Sequence, residues 1–255
     1  MFSFSLYRWR VIVWVLSGAI IVGGAIFQFE KMALYDALGP EPTPIRSAQQ
    51  PAATPHVAGD ASLLLARVIL HVVYVVPRDR TMLAWNGWEE KARPALEAVR
   101  AFHRLQFRGL SELTYEFVPG MVIGEQDGAV YDSSDTARGN PHAWQAIREE
   151  LDRRMPLPTD KQTFHVRAVL YEGVGALGGE NQIFISSAYL RNASTGFDPA
   201  SVMYHELGHA FGLEDAYDYE HGAPSNEDIM GLGRQKPIGQ AYLSDTAKKL
   251  LGIIN

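Results

Sequence analysis

The stretch DPASVMYHELGHAFGLED, residues 198–215, decides how the rest of the chain is read. Asp198-Pro199 has the form of a helix start. An aspartate side chain accepts from the free amides of the first turn, and proline there loses nothing by lacking an N–H. In the helix so opened, His205 and His209 stand four apart and share one face, so their imidazoles can converge on one ion. Glu206, beside the first histidine, can reach a water on that ion without binding the ion itself. Gly212 falls three residues after His209. Glycine accepts the left-handed conformation, so the helix can stop and turn there. Asp215, three residues further on, is then placed to return to the histidines as a third ligand.

Zinc suits this donor set. Imidazole nitrogen and carboxylate oxygen bind it well, and three protein ligands leave a position open for water. On the residues alone, Glu214, Glu227 and His221 are alternatives to Asp215. Without its neighbours, each histidine would read as a core histidine on an amphipathic helix. The spacing of all eleven residues from His205 to Asp215 lowers chance occurrence to roughly one in several thousand shuffled sequences.

This pattern resembles the metzincin metalloproteases, whose motif is H-E-x-x-H-x-x-G-x-x-H or -D. The aspartate at 215 is similar to the snapalysin type, and His205 to Glu214 reads much like the matrixins. Downstream, Asp228-Ile229-Met230-Gly231 resembles the family's Met-turn, in which Met230 would lie beneath the metal without binding it. Upstream, Gly173-Val174-Gly175-Ala176-Leu177-Gly178-Gly179 resembles the edge strand beside the family's cleft, with residues 173–177 expected to bind a peptide as an added strand. Gly179 to Phe184 resembles the matrixin strand that follows, without its acidic calcium-binding run, so a structural Ca2+ is an option with no motif behind it. The specific match covers roughly Gly173 to Gly231. Some metzincins carry a tyrosine two residues after the methionine. Here that position is Leu232, which leaves Tyr217, Tyr219 and Tyr242 as equal candidates for oxyanion stabilisation.

The resemblance implies peptide hydrolysis by one zinc ion held by His205, His209 and Asp215, with Glu206 as the base. Two alternatives stand beside it. One is a gluzincin-type peptidase using Glu227 as third ligand. The other is a membrane-anchored zinc-binding module without catalysis, against which Glu206 argues, because a structural site closes with four ligands and needs no adjacent base.

The flanking sequence frames a domain from residue 63 to 255. Leu63 to Val76 is β-branched and continuous, as in a central strand. Trp85, Trp88, Ala92, Ala95, Val99 and Phe102 follow at helical spacing, with Pro94 near the first turns or at a kink. Leu113 to Val118 reads as a strand. Asn140-Pro141 opens a second helix that ends before Pro156. Phe164 to Tyr171 and Gln182 to Ser186 are further strands. This order gives an α+β fold: a twisted mixed sheet with three main helices. Asn192-Ala193-Ser194 fits a glycosylation acceptor, which matters only in a secretory host. His56, His71, His103, His142 and His165 have no partners at ligand spacing and read as structural or exposed.

Residues 11–29 carry no charge, and as a helix they rise about 28 Å, close to a bilayer's apolar thickness. Arg8 and Arg10 precede the run and acids follow, which places residues 1–10 in the cytoplasm and the domain outside. Cleavage near Gly23-Gly24-Ala25 would instead make the protein secreted. Residues 30–62, Pro-rich from Leu38 onward, form a linker. The absence of a second apolar run excludes an intramembrane protease.

The chain of 255 residues contains no cysteine and has a formal net charge of -6. Disulfides, thiolate metal ligands and cysteine-based latency are thereby excluded, and nucleic acid is not an expected partner. No Lys or Arg occurs between Arg191 and Arg234, which reads as an acidic surface, with an acidic cleft favouring basic substrates as the alternative.

Overall fold

The computed structural model describes residues 65–134, 139–191, 196–216 and 227–254. The expected cytoplasmic segment, membrane span and linker lie outside them, as do Tyr217, Tyr219, His221 and Asn192 to Ser194. Among the described residues no helix is long and apolar enough to cross a membrane.

The β-branched run forms β1, Arg67–Val76. It leads through a 3-10 turn at Arg78–Leu83 into α1, Trp88–Gln106. The strands β2 (Glu112–Phe117) and β3 (Val122–Ile123) follow, then the short α2 (Gly128–Tyr131) and α3 (Pro141–Arg154). Next come β4 (Phe164–Tyr171), β5 (Ala176–Gly179), β6 (Gln182–Ser186) and the single turn α4 (Ala188–Arg191). The histidine helix is α5, Pro199–Ala210, and α6 spans Asp245–Leu250.

The sheet has the order β2-β1-β4-β6-β5, with β3 also paired to β1. Its pairs are parallel except β5 with β6. A parallel step needs a crossover, and α1 and α3 supply two of them. The sheet is covered on both faces, which is why β1 reads as continuously apolar rather than alternating. Val68, Leu70, Val72, Tyr74 and Val76 pack with α1 and α5, through Leu96, Val99, Met203 and Leu207. Val73 and Val75 point the other way, to Ile147 and Leu151 of α3. Each such side chain contributes about 1.5–3 kcal/mol on full burial.

The expected α+β fold with a mixed sheet and three main helices is present, and four elements differ in their bounds. β1 starts at Arg67, after a turn at Leu65 and Ala66, rather than at Leu63. Helix α1 starts at Trp88 because Gly87, at φ 68°, turns the chain just before it; Trp85 stays outside, and Pro94 falls in the second turn, near the helix start as expected. β2 begins one residue earlier than expected and ends at Phe117, held by its parallel register on β1 from Arg67↔Glu112 to Val72↔Phe117. The edge strand runs from Ala176 to Gly179, so only Ala176 and Leu177 of the expected five residues belong to it. Gly173, Val174 and Gly175 form the bend before it. Their carbonyls accept from the Ser186 hydroxyl, Asn140 Nδ2 and the Ser186 amide respectively.

Candidate metal centre

Helix α5 begins as its sequence dictates. The Asp198 carboxylate accepts from the Ala200 amide at 3.0 Å and, with its other oxygen, from the Ile238 amide at 2.6 Å. At the other end Gly212 takes φ 88°. The Gly212 amide donates to His209 O and the Leu213 amide to Gly208 O, both at 3.0 Å. These two bonds close a Schellman turn, which satisfies the last helical carbonyls and reverses the chain.

That reversal orients the second histidine. Leu213 O lies 2.9 Å from His209 Nδ1, and Ile229 O lies 2.9 Å from His205 Nδ1. A carbonyl can only accept, so each Nδ1 carries the proton. In the neutral rings both Nε2 atoms therefore present lone pairs. They face each other at 3.2 Å, and Asp215 Oδ1 stands 3.3 Å from each.

Three electron-rich atoms in such a triangle repel unless a cation lies among them. A tetrahedral zinc with bonds of about 2.0–2.1 Å places neighbouring ligand atoms about 3.3–3.4 Å apart, so the donors fit the ion. The carbonyls on the far ring nitrogens are the supports that metal-bound histidines use. Glu206 is buried, and its carboxylate, His205 and His209 offer donor atoms within 4.8 Å of one another, a group that could hold a metal ion.

The charge balance points the same way. Burial opposes the charged form of His209, yet the Asp215 carboxylate, with Glu206 adding to it, holds its pKa up at about 9. Burial likewise disfavours ionised Asp215, but the bonds from His205 and His209 keep it far below the usual carboxylate range.

Two close approaches seat the helix. A side chain at Gly208 would meet Met230 Sδ at 2.2 Å, so the thioether lies flat against the helix between the histidines. Met230 is buried in a turn where the Gly231 and Gly233 amides both donate to Asp228 O, and the Ala216 amide donates to Met230 O. On the sheet side, a side chain at Gly178 would meet Glu206 O at 1.9 Å. β5 thus rests on the helix backbone at the Glu206 level. Since the Ser186 amide bonds Gly175 O, the register turns the main chain of Gly175, Leu177 and Gly179 toward β6. The main chain of Ala176 and Gly178 is turned the other way.

Of the alternative ligands, Glu227 is bound to Lys236 Nζ at 3.0 Å and Glu214 is exposed. The main chain of Tyr242 bonds Ile229 and Glu227. Among the described residues no group of three potential metal donors occurs away from this site. The spacing did not point to Arg234, whose Nη1 lies 3.5 Å from His205 Nε2. Nor did it point to Tyr189, a phenol raised by burial and by Glu206, with Arg234 opposing. The one signal in the sequence was that Arg234 is the first basic residue after Arg191.

No family model and no curated protein matches the chain. Among solved structures, its fold is similar to archaemetzincin from Methanopyrus kandleri, at 15% identity over 73% of this chain and 94% of that one, with a TM-score of 0.40.

Proposed function

We propose that the chain is a zinc metallopeptidase of the metzincin type, using His205, His209 and Asp215 as ligands and Glu206 as general base. The observation that carries this is the triangle of two Nε2 atoms and one Oδ1, at 3.2–3.3 Å, with both imidazoles oriented by carbonyls. Bound zinc would acidify a water and polarise a carbonyl. The residues do the rest. Glu206 is next to a ligand without completing the triangle, which suits it to take the proton of the attacking water and return it to the leaving amine. Gly178 offers outward main-chain groups to an extended peptide, which favours a peptide as substrate over a small molecule. Residues 11–29 would anchor this domain to a membrane, with the catalytic part on the outer side.

The test is Glu206→Ala in the full chain. Zinc content is expected to stay at one ion per chain, while chelator-sensitive cleavage of a peptide library falls by about 10²–10⁴-fold. Undiminished hydrolysis by the purified variant would overturn the mechanism. A wild type that binds zinc but cleaves nothing would favour a zinc-binding module.

A further inference from the structure

We propose that the corner formed by Gly139 and Asn140 closes the free edge of β5 at one end, so that the enzyme acts near a chain end, on peptides with no more than about two residues beyond the scissile bond on the closed side. The inference rests on the metallopeptidase reading and narrows its substrate. An edge strand is open to a peptide only where its outward main-chain groups are uncovered. In the register of β5 on β6 these groups belong to Ala176 and Gly178. Gly178 lies against Glu206 O and so marks the level of the metal centre. Ala176 is two residues away, about 7 Å along the strand. Its carbonyl, turned away from β6, meets another stretch of main chain. A side chain at Gly139 would collide with Ala176 O, and one at Gly175 would come within 2.6 Å of Gly139 O. Backbone thus fills the position from which a bound peptide would donate to Ala176 O.

The corner is firmly held there. Gly139 and Asn140, just before α3, both take left-handed conformations, at φ 79° and 61°. Asn140 is fully buried and its whole side-chain amide is used. Nδ2 donates to Val174 O at 3.0 Å and to Asp132 Oδ1 at 2.8 Å. Oδ1 accepts from the Ser134 hydroxyl at 3.0 Å and from the Ala143 amide at 3.3 Å. Asp132 is in turn bound by Arg80 at 2.7 Å and by the Tyr171 hydroxyl at 3.0 Å. One side chain therefore ties the bend before β5 to the start of α3, the end of β4 and the turn after β1. A peptide laid along β5 past the metal centre runs into this wall after about two residues. Antiparallel addition brings its C-terminal residues there, and parallel addition its N-terminal ones. In either case a chain end fits and a continuing chain does not.

The experiment uses the zinc-loaded full chain and peptides built around the best-cleaved residue pair of a library, lengthened on one side at a time from one residue to about six. Lengthening beyond about two residues is expected to lower kcat/KM about 10²-fold on one side and not on the other, and the sensitive side gives the direction of the peptide. Asn140→Gly keeps the left-handed turn but frees the bend, and should reduce that discrimination about 3–10-fold with zinc content unchanged. Equal tolerance of long flanks on both sides would overturn the proposal and leave the peptidase reading in place. A length limit that Asn140→Gly does not relax would place the wall elsewhere and overturn it too. If zinc-loaded wild type cleaves no peptide of any length, the peptidase reading itself fails, and the proposal with it.

Discussion

His103 shows how a single residue can couple the core to acidity. It is fully buried, and both ring nitrogens are used. The Ser111 hydroxyl donates to Leu65 O, so it must accept from His103 Nε2–H, at 2.7 Å. Nδ1 is then the acceptor for the Tyr204 hydroxyl at 3.1 Å, on the residue just before the first histidine of the metal centre. The ring also stacks on Phe107 at 4.0 Å. Burial lowers its pKa from 6.5 to about 3. The unfolded chain therefore takes up a proton that the folded chain refuses. The stability this contributes is complete above about pH 6.5 and is lost as the pH falls toward 3, by up to about 1.4 kcal/mol per pH unit. Urea melts at pH 7 and pH 5 should show a smaller loss in His103→Gln than in wild type, and equal losses would refute the assignment. None of this was legible in the sequence, because ligand spacing does not reveal hydroxyl partners 101 and 8 residues away. His71 and His165 were opaque for the same reason. They meet at 2.8 Å across β1 and β4, 94 residues apart.

At the scale of elements, the helix α5 and its exit were readable, and the strand beside it was not. The helix start, the histidine face and the glycine stop are all local, set by residues within one or two turns. β5 is rich in glycine and has no periodicity, so its limits come from contacts that only the folded chain makes: the Ser186 amide on Gly175 O and the approach of Gly178 to Glu206. Two alanine substitutions separate these causes. Gly212→Ala meets no atom within 4 Å but must hold φ 88°, and should cost about 1–2 kcal/mol from backbone strain alone. It should also weaken zinc binding, because Leu213 O and Asp215 follow from that turn. Gly178→Ala meets backbone at 1.9 Å, which cannot yield without moving β5 off the helix. Its cost should be about 1–3 kcal/mol or more. Denaturant unfolding with and without chelator measures both. A Gly178→Ala protein as stable as wild type would mean that the strand is not seated on α5 as described.

For the whole molecule, a mixed sheet could be expected from the order of strands and helices, but the sequence of neighbours β2-β1-β4-β6-β5 could not. That order depends on which way each crossover turns, and the apolar runs of β1, β4 and β6 look alike because both faces of the sheet are covered. The core is divided between those two faces and the chain carries no cysteine, so sheet and helices must hold the domain without disulfides. Residues 11–29 raise the remaining question at this scale, that of address. Their nineteen uncharged residues match a bilayer's apolar thickness and exceed the 7–15 apolar residues usual in a cleaved signal. A retained span predicts that the full-length chain sediments with membranes and resists extraction by high salt and alkaline carbonate, yet is released by detergent. With Arg8 and Arg10 on the inner side, protease added to intact cells stripped of any outer wall should digest the domain and leave only a short N-terminal fragment protected. A soluble chain shortened at its N-terminus would show that the segment is a cleaved signal, and a domain protected from external protease would reverse the orientation.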